Sequence, residues 1–112
     1  MKKLLLLLFI LPTIAFGQTK ILDSNVDWAS SGTLTVFLSD SSGITSMQVE
    51  LGSTPQAGDL LNTTYTLGSN ISVTNNTLVT ALGSFSHGTY YVTVKLTMTD
   101  STIEQIQYQS VN

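Results

Sequence analysis

Strict alternation of apolar and polar residues is the feature that most constrains the fold of this chain. From Thr89 to Thr99 the sequence reads TYYVTVKLTMT, in which every second residue from Tyr90 to Met98 is apolar. Successive side chains of a β-strand point to opposite faces, so the pattern predicts a strand with one face in a core and the other in solvent. We therefore expect Val94 to be buried and Thr93 to be solvated.

The same period of two recurs along the chain between glycines, whereas no segment after residue 17 repeats apolar residues at helical spacing. Asn75-Asn76 tolerates the positive φ of a two-residue turn. The sequence therefore predicts an all-β antiparallel sandwich of about seven strands. Besides Thr89–Thr99, the expected strands are Gly32–Ser39, Ile44–Leu51, Leu60–Leu67, Ile71–Val73, Thr77–Leu82, Thr102–Val111 and a short one near Val26–Ala29.

The first 17 residues match a secretory signal peptide. Two lysines precede the apolar run from Leu4 to Leu11, and Ala15-Phe16-Gly17 provides the small residues that signal peptidase accepts, so we expect cleavage before Gln18. The run is too short to span a bilayer. We predict residues 1–17 as a signal peptide and residues 18–112 as one exported domain that is periplasmic, cell-surface or secreted. No membrane span is expected in the mature chain.

Composition excludes several kinds of chemistry. The sequence contains no cysteine, which excludes disulfides, thiolate zinc sites and thiol catalysis. It also contains no arginine and has a net charge of −3, which argues against a nucleic-acid partner. His87 is the only histidine and no nucleophile motif accompanies it, so we predict that the protein is not an enzyme. Glu50 and Glu104 alternate onto polar strand faces, where we expect both carboxylates to be solvated.

Two segments resemble a known class of domain. GTLTVFLSDSSGI at residues 32–44 and GTYYVTV at residues 88–94, followed by Asp100, are similar to bacterial immunoglobulin-like and fibronectin type III-like sandwiches. The resemblance implies an immunoglobulin-like fold and implies that Tyr90 is a corner residue whose hydroxyl bonds to the main chain. The chain departs from antibody-type domains because it lacks paired cysteines and its Trp28 precedes the second strand. Such a fold implies no particular activity.

The sandwich topology also suggests a metal site. In seven-stranded sandwiches the chain start, the second loop and the last loop meet at one pole. Converging carboxylates suit Ca²⁺, so a weak calcium site is one hypothesis, and exposed acids that keep the protein soluble are the other. No other cofactor is predicted. The four carboxylates expected at this pole belong to Asp23, Asp27, Asp40 and Asp100.

These observations predict a non-catalytic, exported binding or adhesion module for a protein or polysaccharide partner. Phe37 and Tyr91 are expected on the outer faces of opposite sheets, where an exposed ring can stack on a sugar. A structural subunit that assembles through strand edges is the alternative, because threonine-rich edges with few lysines are weakly protected against pairing. A small hydrolase is a remote third possibility.

Overall fold

The computed structural model describes residues 20–112, so the predicted signal peptide and its cleavage site lie outside the described residues. These residues form eight strands and one short 3₁₀ helix, Trp28–Ser30. Within residues 20–112, no helix is long and apolar enough to cross a membrane. The strands are β1 (Ile21–Asp27), β2 (Thr33–Leu38), β3 (Ile44–Gly52), β4 (Leu61–Thr66), β5 (Val73–Thr74), β6 (Thr77–Ala81), β7 (Thr89–Met98) and β8 (Ile103–Val111).

The strands form two four-stranded sheets. The first has the order β1-β2-β6-β5 and the second the order β4-β3-β7-β8, with antiparallel pairing between all these neighbours. The all-β prediction is confirmed, with eight strands in place of about seven. The strand expected near Val26–Ala29 was wrongly placed, because β1 begins at Ile21 and Trp28 already belongs to the 3₁₀ helix.

One core lies between the two sheets. Alternate residues of the central strands supply it, as the period of two predicted, and each such aliphatic side chain contributes about 1.5–3 kcal/mol when fully buried. At the tip of the β5–β6 hairpin, Asn75 and Asn76 both adopt positive φ, which confirms the predicted two-residue turn. The completely buried apolar side chains are Leu34, Val36, Met47, Val49, Leu51, Leu78, Val92, Val94 and Leu96.

The outer face of β7 differs from the sequence-based expectation. Thr93 was expected in solvent, yet it is 0% exposed. It lies opposite Glu50 on one neighbouring strand and Gln107 on the other. A short side chain on a central strand is covered by longer neighbours, so strand alternation identified its face correctly and its exposure wrongly.

Side chains join β8 to residues 20–28, which comprise β1 and its two ends, across the edges of the two sheets. Both carboxylate oxygens of Glu104 accept main-chain hydrogen bonds, from the N–H of Lys20 at 2.8 Å and from that of Ile21 at 2.6 Å. Near the other end of β8, Trp28 Nε1 donates to Ser110 Oγ at 2.8 Å. Glu104 was expected to be solvated, and this was wrong because its strand register points it toward the start of β1.

Candidate functional site

The four aspartates predicted to converge do not all lie at one pole. Asp40 and Asp100 occupy the β2–β3 and β7–β8 turns, which are adjacent because Thr99 N donates to Gly43 O at 2.8 Å. Asp27 stands opposite Thr33, the far end of β2 from Asp40. Since a strand rises about 3.3 Å per residue, the length of β2 separates Asp27 from the other pole. The predicted grouping is therefore wrong for Asp27.

The carboxylates near that pole bind local groups. Asp40 Oδ1 lies 2.6 Å from Lys20 Nζ and also accepts from the main chain and hydroxyl of Ser42. Asp100 Oδ1 accepts from the N–H and hydroxyl of Thr102. Asp23, which pairs with Phe37 at the start of β1, accepts from its neighbour's N–H. Among residues 20–112, no three Asp, Glu, His or Cys side chains are grouped closely enough to hold a metal ion.

The contacts of Asp40 make the stability of this turn sensitive to acid. Hydrogen bonds from Lys20 and Ser42 lower the pKa of Asp40 to about 2, and those from Thr102 lower the pKa of Asp100. A carboxyl group whose pKa is lower in the folded state stabilises it above its unfolded pKa, near 4, and this contribution disappears as the pH falls through the folded value.

We therefore expect the melting temperature to fall between pH 4 and pH 2. Asp40→Asn should reduce that fall, and Lys20→Met should reduce it too, because it removes the main cause of the low pKa of Asp40. Thermal melts at pH 5, 4, 3 and 2 test this. An Asp40→Asn protein that loses stability as steeply as the unchanged protein would contradict the assignment.

The opposite pole is closed by aromatic side chains. Trp28 packs against Tyr90 with ring centroids 5.3 Å apart and against Phe85 at 6.1 Å, with the Trp28 and Phe85 rings nearly perpendicular. The hydroxyl of Tyr90 donates to the carbonyl of Ser86, which is the main-chain contact expected of a corner residue. No local sequence pattern indicates that Trp28 joins this cluster, because Trp28 is far from Phe85 and Tyr90 in the chain.

Two conservative substitutions test the corner contact. Tyr90→Phe should lower the free energy of unfolding by about 1 kcal/mol, the net contribution of one hydrogen bond. Tyr91→Phe is the matched control, because Tyr91 lies on the other face of the same strand, and its effect should stay below about 0.5 kcal/mol. Urea unfolding of both variants measures the difference, and equal effects would remove the special role of Tyr90.

Strand register brings many polar side chains together on the outer surface of the second sheet. We call this surface the polar face. Its centre lies on β3 and β7, which are rigid because each pairs with strands on both sides. From alternation and register, its members are Ser46, Gln48, Glu50, Asn62, Thr64, Thr66, Tyr91, Lys95, Thr97, Gln105, Gln107 and Gln109, whereas Thr93 lies on the same side of the sheet but is completely covered by its neighbours.

The polar face carries no net charge. Its two charged residues form an ion pair, with Lys95 Nζ 3.0 Å from Glu50 Oε1, and the Glu50 side chain is only 12% exposed. The β3–β4 loop packs onto this carboxylate, since a methyl group added at Gly58 would lie 2.9 Å from Glu50 Oε2. Glu50 was expected to be solvated, and this was wrong because the loop and Lys95 cover it.

Five amide side chains and several hydroxyl groups make up the rest of the polar face. Gln48 Nε2 donates to Asn62 Oδ1 at 2.9 Å, which leaves other donor and acceptor positions of both amides available. Tyr91 is half-buried and lies opposite Gln109. Phe37 lies on the outer surface of the first sheet, at 37% exposure, so the two rings belong to different surfaces as predicted. The spacing of Gln105, Gln107 and Gln109 was the sequence signal for this surface.

Comparisons with known proteins return no relative from which a function can be transferred. The chain matches no protein-family model, no curated protein and no solved structure.

Proposed function

We propose that the protein is a non-catalytic, exported immunoglobulin-like module that binds a neutral polysaccharide through the polar face. The observation that carries this proposal is a rigid, uncharged surface rich in amides and bordered by a tyrosine ring. An amide group both donates and accepts hydrogen bonds, as a sugar hydroxyl does. An aromatic ring can stack against the apolar face of a sugar ring.

The strand order supports the immunoglobulin-like part of the proposal. Immunoglobulin constant-type sandwiches place the first, second, fifth and fourth strands in one sheet and the third, sixth and seventh in the other. Here the first sheet has the order β1-β2-β6-β5, and β3, β7 and β8 are neighbours in the second. The two arrangements agree when β4 is counted as an additional strand at the edge of the second sheet. β5, β6, β7 and β8 then correspond to the fourth, fifth, sixth and seventh strands of the immunoglobulin order.

The surroundings of His87 support a non-catalytic role. The imidazole is exposed, and its Nδ1 lies 3.4 Å from the main-chain carbonyl oxygen of Asn112. A hydrolytic triad instead requires the histidine to contact a nucleophile and an orienting carboxylate. The signal-peptide pattern of residues 1–17 supports export.

Affinity electrophoresis tests the binding proposal. The protein is run through native gels containing a neutral polysaccharide, such as a β-glucan, xylan, mannan or starch. At least one should retard it, and Tyr91→Ala should weaken that retardation about tenfold, equivalent to 1.4 kcal/mol. Gln48→Ala gives a second test within the sheet, and Phe37→Ala is the control on the other surface. No retardation, or a loss with Phe37→Ala alone, would contradict the proposal.

A further inference from the structure

We propose that the protein forms a symmetric dimer in which β8 of one copy pairs antiparallel with β8 of a second copy about a two-fold axis at Gln107. This inference goes beyond polysaccharide binding and does not depend on it. The second sheets of the two copies would join into one eight-stranded sheet. Their polar faces would become continuous.

The hydrogen-bond phase of β8 shows which main-chain groups face the open edge. Gly88 and Asn112 exchange two main-chain hydrogen bonds, and Met98 N donates to Thr102 O. Hydrogen-bonded pairs alternate along an antiparallel ladder, so the even-numbered residues of β8 direct their N–H and C=O groups toward β7. The odd-numbered residues, from Ile103 to Val111, direct theirs away from β7.

No described strand covers this edge. β8 is the last strand of its sheet, and residues 20–28 contact it through the side chains of even-numbered residues: Glu104 binds the main chain of Lys20 and Ile21, and Ser110 accepts a hydrogen bond from Trp28. The edge also lacks the usual protection against pairing, because β8 contains no lysine, proline or bulge. Its single charged residue is Glu104, whose carboxylate is already bound to β1.

The sequence of β8 is complementary to itself in one register. A two-fold axis at Gln107 places Ile103 opposite Val111 of the second copy and Gln105 opposite its Gln109. Ile103 and Val111 are 65% and 67% exposed, two of the most exposed large apolar side chains described. Ile103 of each copy would cover Val111 of the other copy. The facing glutamine side chains can form hydrogen bonds with one another.

The same register satisfies the main chain. Any two-fold axis centred on a residue of β8 makes the facing odd-numbered residues hydrogen-bonded pairs, and the axis on Gln107 is the one that includes all of them, so that the free N–H and C=O groups between Ile103 and Val111 all find partners. Moving the axis to Gln105 or Gln109 shortens the paired length and separates Ile103 from Val111. No like charges face each other, because Glu104 lies opposite Ser110 of the second copy.

Sedimentation of the protein, expressed from its full coding sequence, tests whether it dimerises. A concentration series should show a monomer–dimer equilibrium that stops at two copies. Gln107→Lys should shift this equilibrium to monomer, because it places two ammonium groups at the axis. Thr64→Lys introduces a lysine on the opposite edge strand and should leave the equilibrium unchanged. A monomer at all concentrations, growth beyond two copies, or a Gln107→Lys protein that still dimerises would overturn the proposal.

Single cysteines test the register, because the chain has none of its own. Gln107→Cys should form a disulfide-linked dimer rapidly under mild oxidation. Gln105→Cys alone should not, but a mixture of Gln105→Cys and Gln109→Cys proteins should form the mixed dimer, since those positions face each other. Near-native melting temperatures of the reduced variants establish that they are folded. Equal cross-linking at 105 and 107, or none at 107, would overturn the register.

Discussion

Val94→Asp is expected to destabilise the protein by several kcal/mol, because it places an unpaired carboxylate in a core where Val94 is 0% exposed. Thr93→Asp is expected to have a similarly large effect. Thr93 lies on the other face of β7 but is also 0% exposed. Urea unfolding of both variants measures the effects, and a Thr93→Asp protein as stable as the unchanged one would contradict the burial of this position.

Two controls separate burial from the substitution itself. Thr64→Asp introduces the same group at an exposed position of the polar face and should change the free energy of unfolding by about 0.5 kcal/mol or less. Thr93→Val keeps the shape and removes a buried hydroxyl that has no hydrogen-bond partner. Because leaving a buried polar group unpaired costs about 1–3 kcal/mol, this variant should be more stable than the unchanged protein.

Gly32→Ala is the second substitution expected to cause a large loss of stability. Gly32 has φ +63°, and a methyl group there would lie 2.6 Å from the carbonyl oxygen of Gly83 and 3.2 Å from the Trp28 ring. The left-handed backbone conformation alone costs an alanine about 1–2 kcal/mol. The contact with Gly83 is to the main chain and cannot be relieved by a side-chain rotation.

Gly68→Ala is the matched control. Gly68 also has positive φ, +83°, but an added methyl group would meet nothing within 4 Å. Its substitution should cost only the backbone term, about 1–2 kcal/mol. Thermal or urea unfolding gives the difference between the two variants, which reports the steric contact at Gly32. Equal losses would show that the approach of Gly83 and Trp28 is looser than described.

Strand alternation predicted most of the fold because it depends on local geometry. The inward positions of β7, the central part of β3 and the β5–β6 turn follow from residues next to each other in the sequence. Thr93 and Glu50 were misjudged because their burial depends on a neighbouring strand and on a loop that folds back over the sheet. A period of two predicts the face of the sheet on which a residue lies, but it does not show how far neighbouring side chains cover that residue.

The candidate site was harder to predict for the same reason. Placing four aspartates at one pole required the direction of β1, and assigning that strand to Val26–Ala29 put Asp27 at the wrong end. The Glu50–Lys95 pair joins residues 45 positions apart, so spacing alone does not reveal that the polar face is uncharged. The alternating glutamines of β8 are visible in the sequence. Their role in pairing with a second copy depends on which sheet edge has no neighbouring strand.

Mapping a bound neutral oligosaccharide by amide chemical shifts tests whether the polar face is the binding surface. The oligosaccharide is taken from the polysaccharide class that retards the protein most in gels and is titrated into ¹⁵N-labelled protein. We expect progressive shifts in β3 and β7, at residues such as Gln48, Tyr91 and Lys95. Shifts confined to the turns that hold Asp40 and Asp100, or to the first sheet around Phe37, or no shifts with any neutral oligosaccharide, would contradict this expectation.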